Sequence, residues 1–259
     1  MKQMIQKIKI TLLGGSVLLL VNTAFADNAG DRYMYIGSEF GLSEPIVKKF
    51  VHKDSDTKMR LKQSRMYGGR IGYAFYPGMM IELSATHQPK YRLAYRLPSQ
   101  DLSSLAPDLG LAIPETSGET RVSANVFTLN LLYEMQEQFA GFKPYVIFGA
   151  GVARISIKPT TSTTDVFAQL GLDDKVTFFK IKKNNIDCFA WQFGGGFSRD
   201  LSDNFSVDIG AKLQVVNDIK IKYDTLDSPT TGTFSPAKPI KKTIGVGEFT
   251  LGFTFKIPV

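Results

Sequence analysis

The sequence predicts an all-β chain, an eight-stranded antiparallel up-and-down transmembrane β-barrel with four long outer loops. Three observations predict it: a secretory leader, eight runs of alternating apolar and polar residues, and connections that alternate strictly between short and long.

The leader comes first. Lys2, Lys7 and Lys9 precede an apolar run from Ile10 to Val21 and the small-residue site Ala24-Phe25-Ala26, the arrangement of a secretory signal peptide. Residues 1–26 are therefore read as that signal and 27–259 as one barrel domain. No later segment reaches the roughly 18 uninterrupted apolar residues of a spanning helix, so this chain would enter a membrane as strands. Losing the three leader lysines takes the formal charge from +7 to +4, an excess that matters only where it is concentrated. The single Cys188 has no intrachain partner for a disulfide.

Alternation of period two marks strands with unlike faces. The first runs from about Tyr33 to Leu42 and the second from Arg65 to Phe75. In the third, Met80 to Tyr95, Ile81, Leu83 and Ala85 alternate with Glu82, Ser84 and Thr86. The fourth covers Val122 to Tyr133 and the fifth Lys143 to Ile155. The sixth, Asp187 to Arg199, sets Phe189, Trp191, Phe193 and Phe197 against Gln192, Gly194, Gly196 and Ser198. The seventh, Phe205 to Val216, and the eighth, Thr243 to Ile257, continue the pattern, with Phe249, Leu251, Phe253, Phe255 and Ile257 against Glu248, Thr250, Gly252, Thr254 and Lys256. Each can cross a bilayer when tilted, which takes about 9–11 residues. The first and fifth do not declare their faces.

The connections after the second, fourth and sixth strands are short: Tyr76 to Met79, Glu134 to Phe142 and Asp200 to Asn204. Those after the first, third, fifth and seventh are long: Ser43 to Ser64, Arg96 to Arg121, Ser156 to Ile186 and Asn217 to Lys242. All long connections then fall at one end, as in transmembrane barrels. Tyrosines near strand ends (Tyr33, Tyr35, Tyr67, Tyr73, Tyr133, Tyr145) are expected to form the girdles found where bilayer meets water. The apolar faces should meet lipid and the polar faces the lumen.

The inward set derived this way is Glu39, Arg70, Glu82, Asp208, Lys212, Glu248 and Lys256, with Gln192 and Asn130, and inward glycines leave these chains room. Buried charge is tolerable only when paired, so interlocking ion pairs are expected to plug a polar interior.

The runs KPYVIFGAGVA (Lys143 to Ala153) and FAWQFGGGFSRDLSDNFSVDIGAKL (Phe189 to Leu213) resemble the small eight-stranded outer-membrane barrels, the OmpA-like, OmpX-like and opacity-protein group of surface antigens. The lysine- and isoleucine-rich style resembles surface antigens and adhesins of rickettsia-like bacteria. The resemblance implies an outer-membrane location with both termini in the periplasm. Two departures stand out: the sequence ends Lys256-Ile257-Pro258-Val259 where the group usually ends on an aromatic, and, unlike in OmpA, a peptidoglycan-binding domain and cell-wall tethering are not expected.

Chemistry is sparse. Some barrels of this kind modify lipid A with a His, a Ser and an Asp near the outer rim, and His52 with Asp54 and Ser55 is the one loose match. Ser84 and His87 have opposite parity and should face opposite ways. Gly149-Ala150-Gly151 is followed by Arg154 and no helix, so it is not a dinucleotide loop. No enzyme, cofactor or metal site is expected.

The stronger signal is charge in the long connections: Lys48, Lys49, Lys53, Lys58, Arg60 and Lys62 in the first, and Lys180, Lys182 and Lys183 in the third. A basic rim attracts anions through its summed field. Apolar loop residues such as Leu102, Leu105, Phe167, Leu170, Phe178 and Phe179 are candidate contact anchors, and a short helix is expected over Thr163 to Leu172. The expected function is an adhesin or binding protein acting through basic extracellular loops, the alternative a structural or small porin-like barrel. The expected partners are outer-membrane lipid and lipopolysaccharide, with a host surface protein or acidic glycan. No nucleic acid is expected, and the chain should act as a monomer.

Overall fold

The computed structural model describes residues 32–46, 49–51, 58–97, 100–101, 112–113, 116–164, 176–228, 233–236 and 239–259. The expected leader lies outside the described residues. The described elements are β1 (Tyr33–Pro45), β2 (Lys49–Val51), β3 (Lys58–Leu61), β4 (Ser64–Tyr76), β5 (Met79–Leu97), β6 (Gln100–Asp101), β7 (Ala112–Ile113) and β8 (Thr116–Glu134). There follow β9 (Lys143–Ile157), β10 (Thr160–Thr164), β11 (Val176–Ile181), β12 (Asn184–Ser202), β13 (Phe205–Ile221), β14 (Tyr223–Ser228), β15 (Thr233–Pro236) and β16 (Ile240–Pro258). Among the described residues no helix is long and apolar enough to cross a membrane.

Eight strands close a ring: β1, β4, β5, β8, β9, β12, β13 and β16, which pairs back onto β1, every neighbour antiparallel. Ring order follows chain order, and closure removes the open edges that a sheet otherwise exposes. Each expected alternating run lies within one of these strands. β5, β8, β12 and β16 each reach 19 residues, beyond what about 30 Å of hydrocarbon requires.

Beyond the wall proper, the long connections contribute strands of their own. The β2–β3 hairpin extends the edge of β5 past β4, with Lys58 opposite Arg96 and Leu61 opposite Leu93. β10, β11, β14 and β15 form a second sheet. The helix expected from Thr163 is corrected at its start, since Thr163 and Thr164 pair with Thr177 and Val176 as strand; threonine's branched Cβ suits a pleated sheet. Residues 165–172 lie outside the described residues.

The short turns follow local chemistry. Pro77 and Gly78 occupy the corners after β4, and Gly78 has φ 76°, the left-handed position that a type II turn reserves for glycine. In the next turn Ala140 (φ 52°) and Gly141 (φ 79°) lie between bridged Phe139 and Phe142, the left-handed pair of a type I′ hairpin.

Register arranges the outward side chains of the turn-end half into apolar rows. Phe255, Ile36, Ile71, Leu83, Leu129, Ala150, Trp191 and Val215 stand opposite one another around the ring. Leu83 is 58% exposed, Phe148 57% and Phe249 65%, a continuous apolar surface that water would penalise and hydrocarbon accepts. The same register settles the two undeclared strands: Met34, Ile36, Phe40 and Leu42 face out on β1, and Val146, Phe148 and Val152 on β9. The tyrosine girdle is corrected in part. Tyr67 and Tyr133 are exposed on the outer wall, but Tyr35 is buried and, with Tyr33 and Tyr145, belongs to an interior cluster.

Toward the loop end the outward face turns polar. On β5, Ile81, Leu83 and Ala85 give way to His87, Lys90 and Arg92; on β8, Phe127 gives way to Asn125, Ser123 and Arg121; on β9, Val152 gives way to Arg154. Two bulges mark this level, one between Gln88 and Tyr91 and one between Val216 and Ile219. Pro89 sits in the first, where a missing N–H costs no ladder bond, and Asp218 (φ 54°) in the second.

Candidate functional site: the lumen and the loop-end surface

From turn end to loop end the interior is layered. At the mouth, Lys256 Nζ lies 2.5 Å from Asp200 Oδ1, and Lys143 Nζ lies 2.9 Å from Asp200 Oδ2 and 3.7 Å from Glu134. Lys256 is therefore not part of the central charge network, which corrects the sequence reading. Above it Tyr35, Ala74, Met80, Leu132 and Ile147 pack with Tyr33 and Tyr145.

The central layer holds two charge clusters. In one, the Arg70 guanidinium donates through both terminal nitrogens to the Asp208 carboxylate and at 2.7 Å to Thr254, while its Nε lies 3.9 Å from Glu82. Glu82 also accepts from the Tyr35 hydroxyl and from Asn130 Nδ2, each at 3.0 Å. In the other, Lys212 Nζ donates to Glu39 Oε2 at 2.8 Å and lies 4.0 Å from Glu248, and Gln88 Nε2 donates to Glu248 at 2.5 Å. Glycines make the room: a Cβ on Gly252 would come 2.4 Å from the Asp208 carboxylate, and one on Gly72 2.2 Å from the Tyr35 ring.

Carboxylates outnumber cations here. Among the described residues Glu39, Glu82, Asp208 and Glu248 face only Arg70 and Lys212, and one oxygen each of Glu39 and Glu248 has no donor. Such a layer contributes little net stability when intact, because desolvation offsets attraction, yet losing one partner is costly.

The loop-end interior corrects the expectation of a wholly polar lumen. Tyr91, Leu93, Val122, Ala124, Val126, Ala153, Ile155, Ile157, Val216, Ile219, Ile221, Ile244 and Val246 form one buried apolar cluster, capped by Leu61 of β3, Ile181 of β11 and Tyr223 of β14. It encloses a cavity of only about 40 Å³. Gln88 joins the two layers, bonding Glu248 below and accepting from the Tyr91 hydroxyl at 3.1 Å above. Cys188 is buried in this cluster, its Sγ 3.9 Å from the Asp218 carbonyl.

Of the expected basic patch, Lys48 and Lys53 lie outside the described residues. Lys49 and Lys58 belong to β2 and β3, and Arg60 and Lys183 are exposed. The remaining three have described partners: Lys62 pairs with Glu119, Lys182 Nζ lies 2.9 Å from Asp224, and Lys180 Nζ sits 3.8 Å over the Phe234 ring. The apolar loop anchors also lie outside the described residues or in strands whose side chains do. A set of exposed wall cations went unnoticed in the sequence: Arg65, Lys90, Arg92, Arg121 and Lys158. Their signal was the alternation of Lys90 with Arg92 on a strand whose lower outward positions are apolar.

Ser84 and His87 do not meet. Ser84 shares a 2.7 Å hydrogen bond with Thr128 inside, whereas His87 faces out against Asn125 (2.5 Å) and the edge of Tyr67. His52 lies outside the described residues. No group of three or more metal-ligating side chains occurs among the described residues.

A closed ring of eight antiparallel strands with an apolar belt and a charged interior defines an outer-membrane β-barrel. The profile described as "outer membrane protein beta-barrel domain" matches residues 15–254, and the chain belongs to that family. The uncharacterized protein RP788 of Rickettsia prowazekii (strain Madrid E) is 40% identical over 193 residues, covering 74% of this chain and 99% of that one. Among solved structures, the outer membrane protein OprG of Pseudomonas aeruginosa covers 90% of this chain and 100% of its own at 18% identity, with a TM-score of 0.50. Neisserial surface protein A (NspA) covers 90% and 100% at 12% identity, with a TM-score of 0.44.

Proposed function

We propose that the chain is a closed surface barrel that engages an anionic partner outside the cell, a host surface protein or acidic glycan, through its basic loop end. In this reading the leader is removed, both termini lie in the periplasm, and the short turns face inward to the cell. The observation that carries it is the double closure of the lumen by a paired charge layer and an apolar cluster. A barrel closed in this way offers its outer surface rather than a passage. The exposed Arg60 and Lys183 and the basic strands β2 and β3 supply a positive field whose strength falls with salt.

The test joins two measurements on the full chain. Reconstituted in planar bilayers it should show no steady single-channel step, whereas a stable step abolished by substitution at Lys212 would establish the small porin instead. Reversing Lys48, Lys49, Lys53, Lys58, Arg60 and Lys183 to Glu should weaken binding to host cells or acidic glycan at low salt and leave the heat-modifiable gel mobility of the barrel unchanged. Unchanged binding would remove the basic-loop reading.

A further inference from the structure

We infer that the outer wall carries a built site for phosphate groups borne on a membrane saccharide, centred on Arg92 and Arg121. Register places these two arginines directly opposite each other on β5 and β8, both exposed on the outward face. Directly opposed like charges destabilise a sheet. The row extends on both sides: the Lys62 amide donates to the Arg92 carbonyl at 2.9 Å, and the Lys158 amide to the Arg121 carbonyl at 3.0 Å. Four cations thus stand side by side at one level. Among the described residues the only carboxylate answering them is Glu119, which pairs with Lys62 and also lies in the field of Arg92; neither Arg121 nor Lys158 has a side-chain partner.

Height selects the ligand. On β8 the last outward apolar residue is Phe127 and Arg121 follows three outward positions later. At about 3.3 Å per residue and a tilt near 40°, the arginine row sits roughly 15 Å above the hydrocarbon edge. The headgroup layer of an ordinary bilayer is only about 5–7 Å deep, so a phospholipid phosphate falls short while a phosphate on a saccharide lipid reaches the row. The guanidinium forks suit such oxygens bidentately. Its two central arginines lie on β5 and β8, apart from Arg60 and Lys183, so the site stands whether or not those residues bind a partner.

The full chain, folded in neutral detergent, would be titrated with rough lipopolysaccharide carrying a phosphorylated core, with the same material dephosphorylated, and with phosphatidylglycerol. The phosphorylated form should bind at least about tenfold more tightly than either other probe, and the double variant Arg92→Gln, Arg121→Gln should lose that margin, since each charge-assisted contact is worth about a factor of ten or more. Without lipopolysaccharide the variant should melt no lower than the parent, because a repulsion has been removed, which also shows that it folds. Equal binding of all three probes, or an unchanged double variant, would overturn the site. So would an equal loss in the control Arg60→Gln, Lys183→Gln, which would mean general charge attraction.

Discussion

Along β8, Tyr133, Leu131, Leu129 and Phe127 face outward in the turn-end half, with Leu132, Asn130 and Thr128 inside. In the loop-end half of the same strand Asn125, Ser123 and Arg121 face outward, with Val126, Ala124 and Val122 inside. One strand of unbroken period two therefore carries two opposite patterns. In the first half no water drives side chains together, so shape and paired charge must specify the interior. In the second the outside is wet, and burial of the apolar cluster supplies about 25 cal/mol per Å², as in a water-soluble barrel.

The largest expected effect breaks the charged half. Lys212→Met should cost about 3–5 kcal/mol, because Glu39 loses its cation and Glu248 its nearest one. Glu248→Gln should be close to neutral, since the layer already holds more carboxylates than cations and Gln88 can still donate to the amide oxygen. Urea unfolding in lipid vesicles, followed by Trp191 fluorescence, measures both. A comparable loss in the two variants would mean that the Glu248 carboxylate is as necessary as the Lys212 cation and that the layer holds no surplus negative charge.

Next in size is a contrast across the boundary. Leu129→Arg on the apolar wall should cost about 2–4 kcal/mol, whereas Ser123→Arg, only six residues along the same outward face, should cost less than about 0.5 kcal/mol. The same unfolding assay reads the pair, and equal costs would place both positions in one medium.

The smallest effect concerns pH at the wet end. The hydrogen bond from Lys62 holds the Glu119 carboxyl below its ordinary range, helped by the charges of Lys62 and Arg92. A folded-state value lowered in this way adds stability above the unfolded value of about 4.3, and the addition fades as pH falls through the folded one. Both partners are largely exposed, so Glu119→Gln should remove only a few tenths of a kcal/mol at pH 7, and the difference should shrink as pH falls below the unfolded value.

How far the sequence foretold this depends on where its period held. All eight ring strands were legible because alternation runs cleanly through residues such as Phe249 to Ile257 and Phe189 to Phe193. Alternation in the seventh strand ends at Val216, where Asn217 and Asp218 enter as a bulge and shift the parity, so that Ile219 and Ile221 point inward out of phase. The third strand is legible through Tyr95, but the bulge at Pro89 and Lys90 shifts its parity in the same way, so that Tyr91 and Leu93 point inward on the odd positions that Ile81 and Leu83 use to point outward. Those two parity shifts conceal the apolar half of the lumen. Glu39, Arg70, Glu82, Asp208, Lys212 and Glu248 were placed by parity alone, but parity carries no height, and Lys256 was therefore grouped with a layer it does not reach. Tyr33, Tyr35 and Tyr145 were misplaced because the tyrosine rule speaks of strand ends without stating a face.

The inversion itself can be measured residue by residue. In a Cys188→Ala background, single cysteines from 119 to 133 would be spin-labelled in lipid vesicles and their access to oxygen and to an aqueous nickel quencher compared. Labels at 127, 129 and 131 should meet oxygen alone, those at 121, 123 and 125 the aqueous quencher, and those at 122, 124 and 126 neither. Oxygen-only access continuing to 121, or aqueous access at 122 to 126, would contradict a barrel that is greasy outside below this boundary and greasy inside above it.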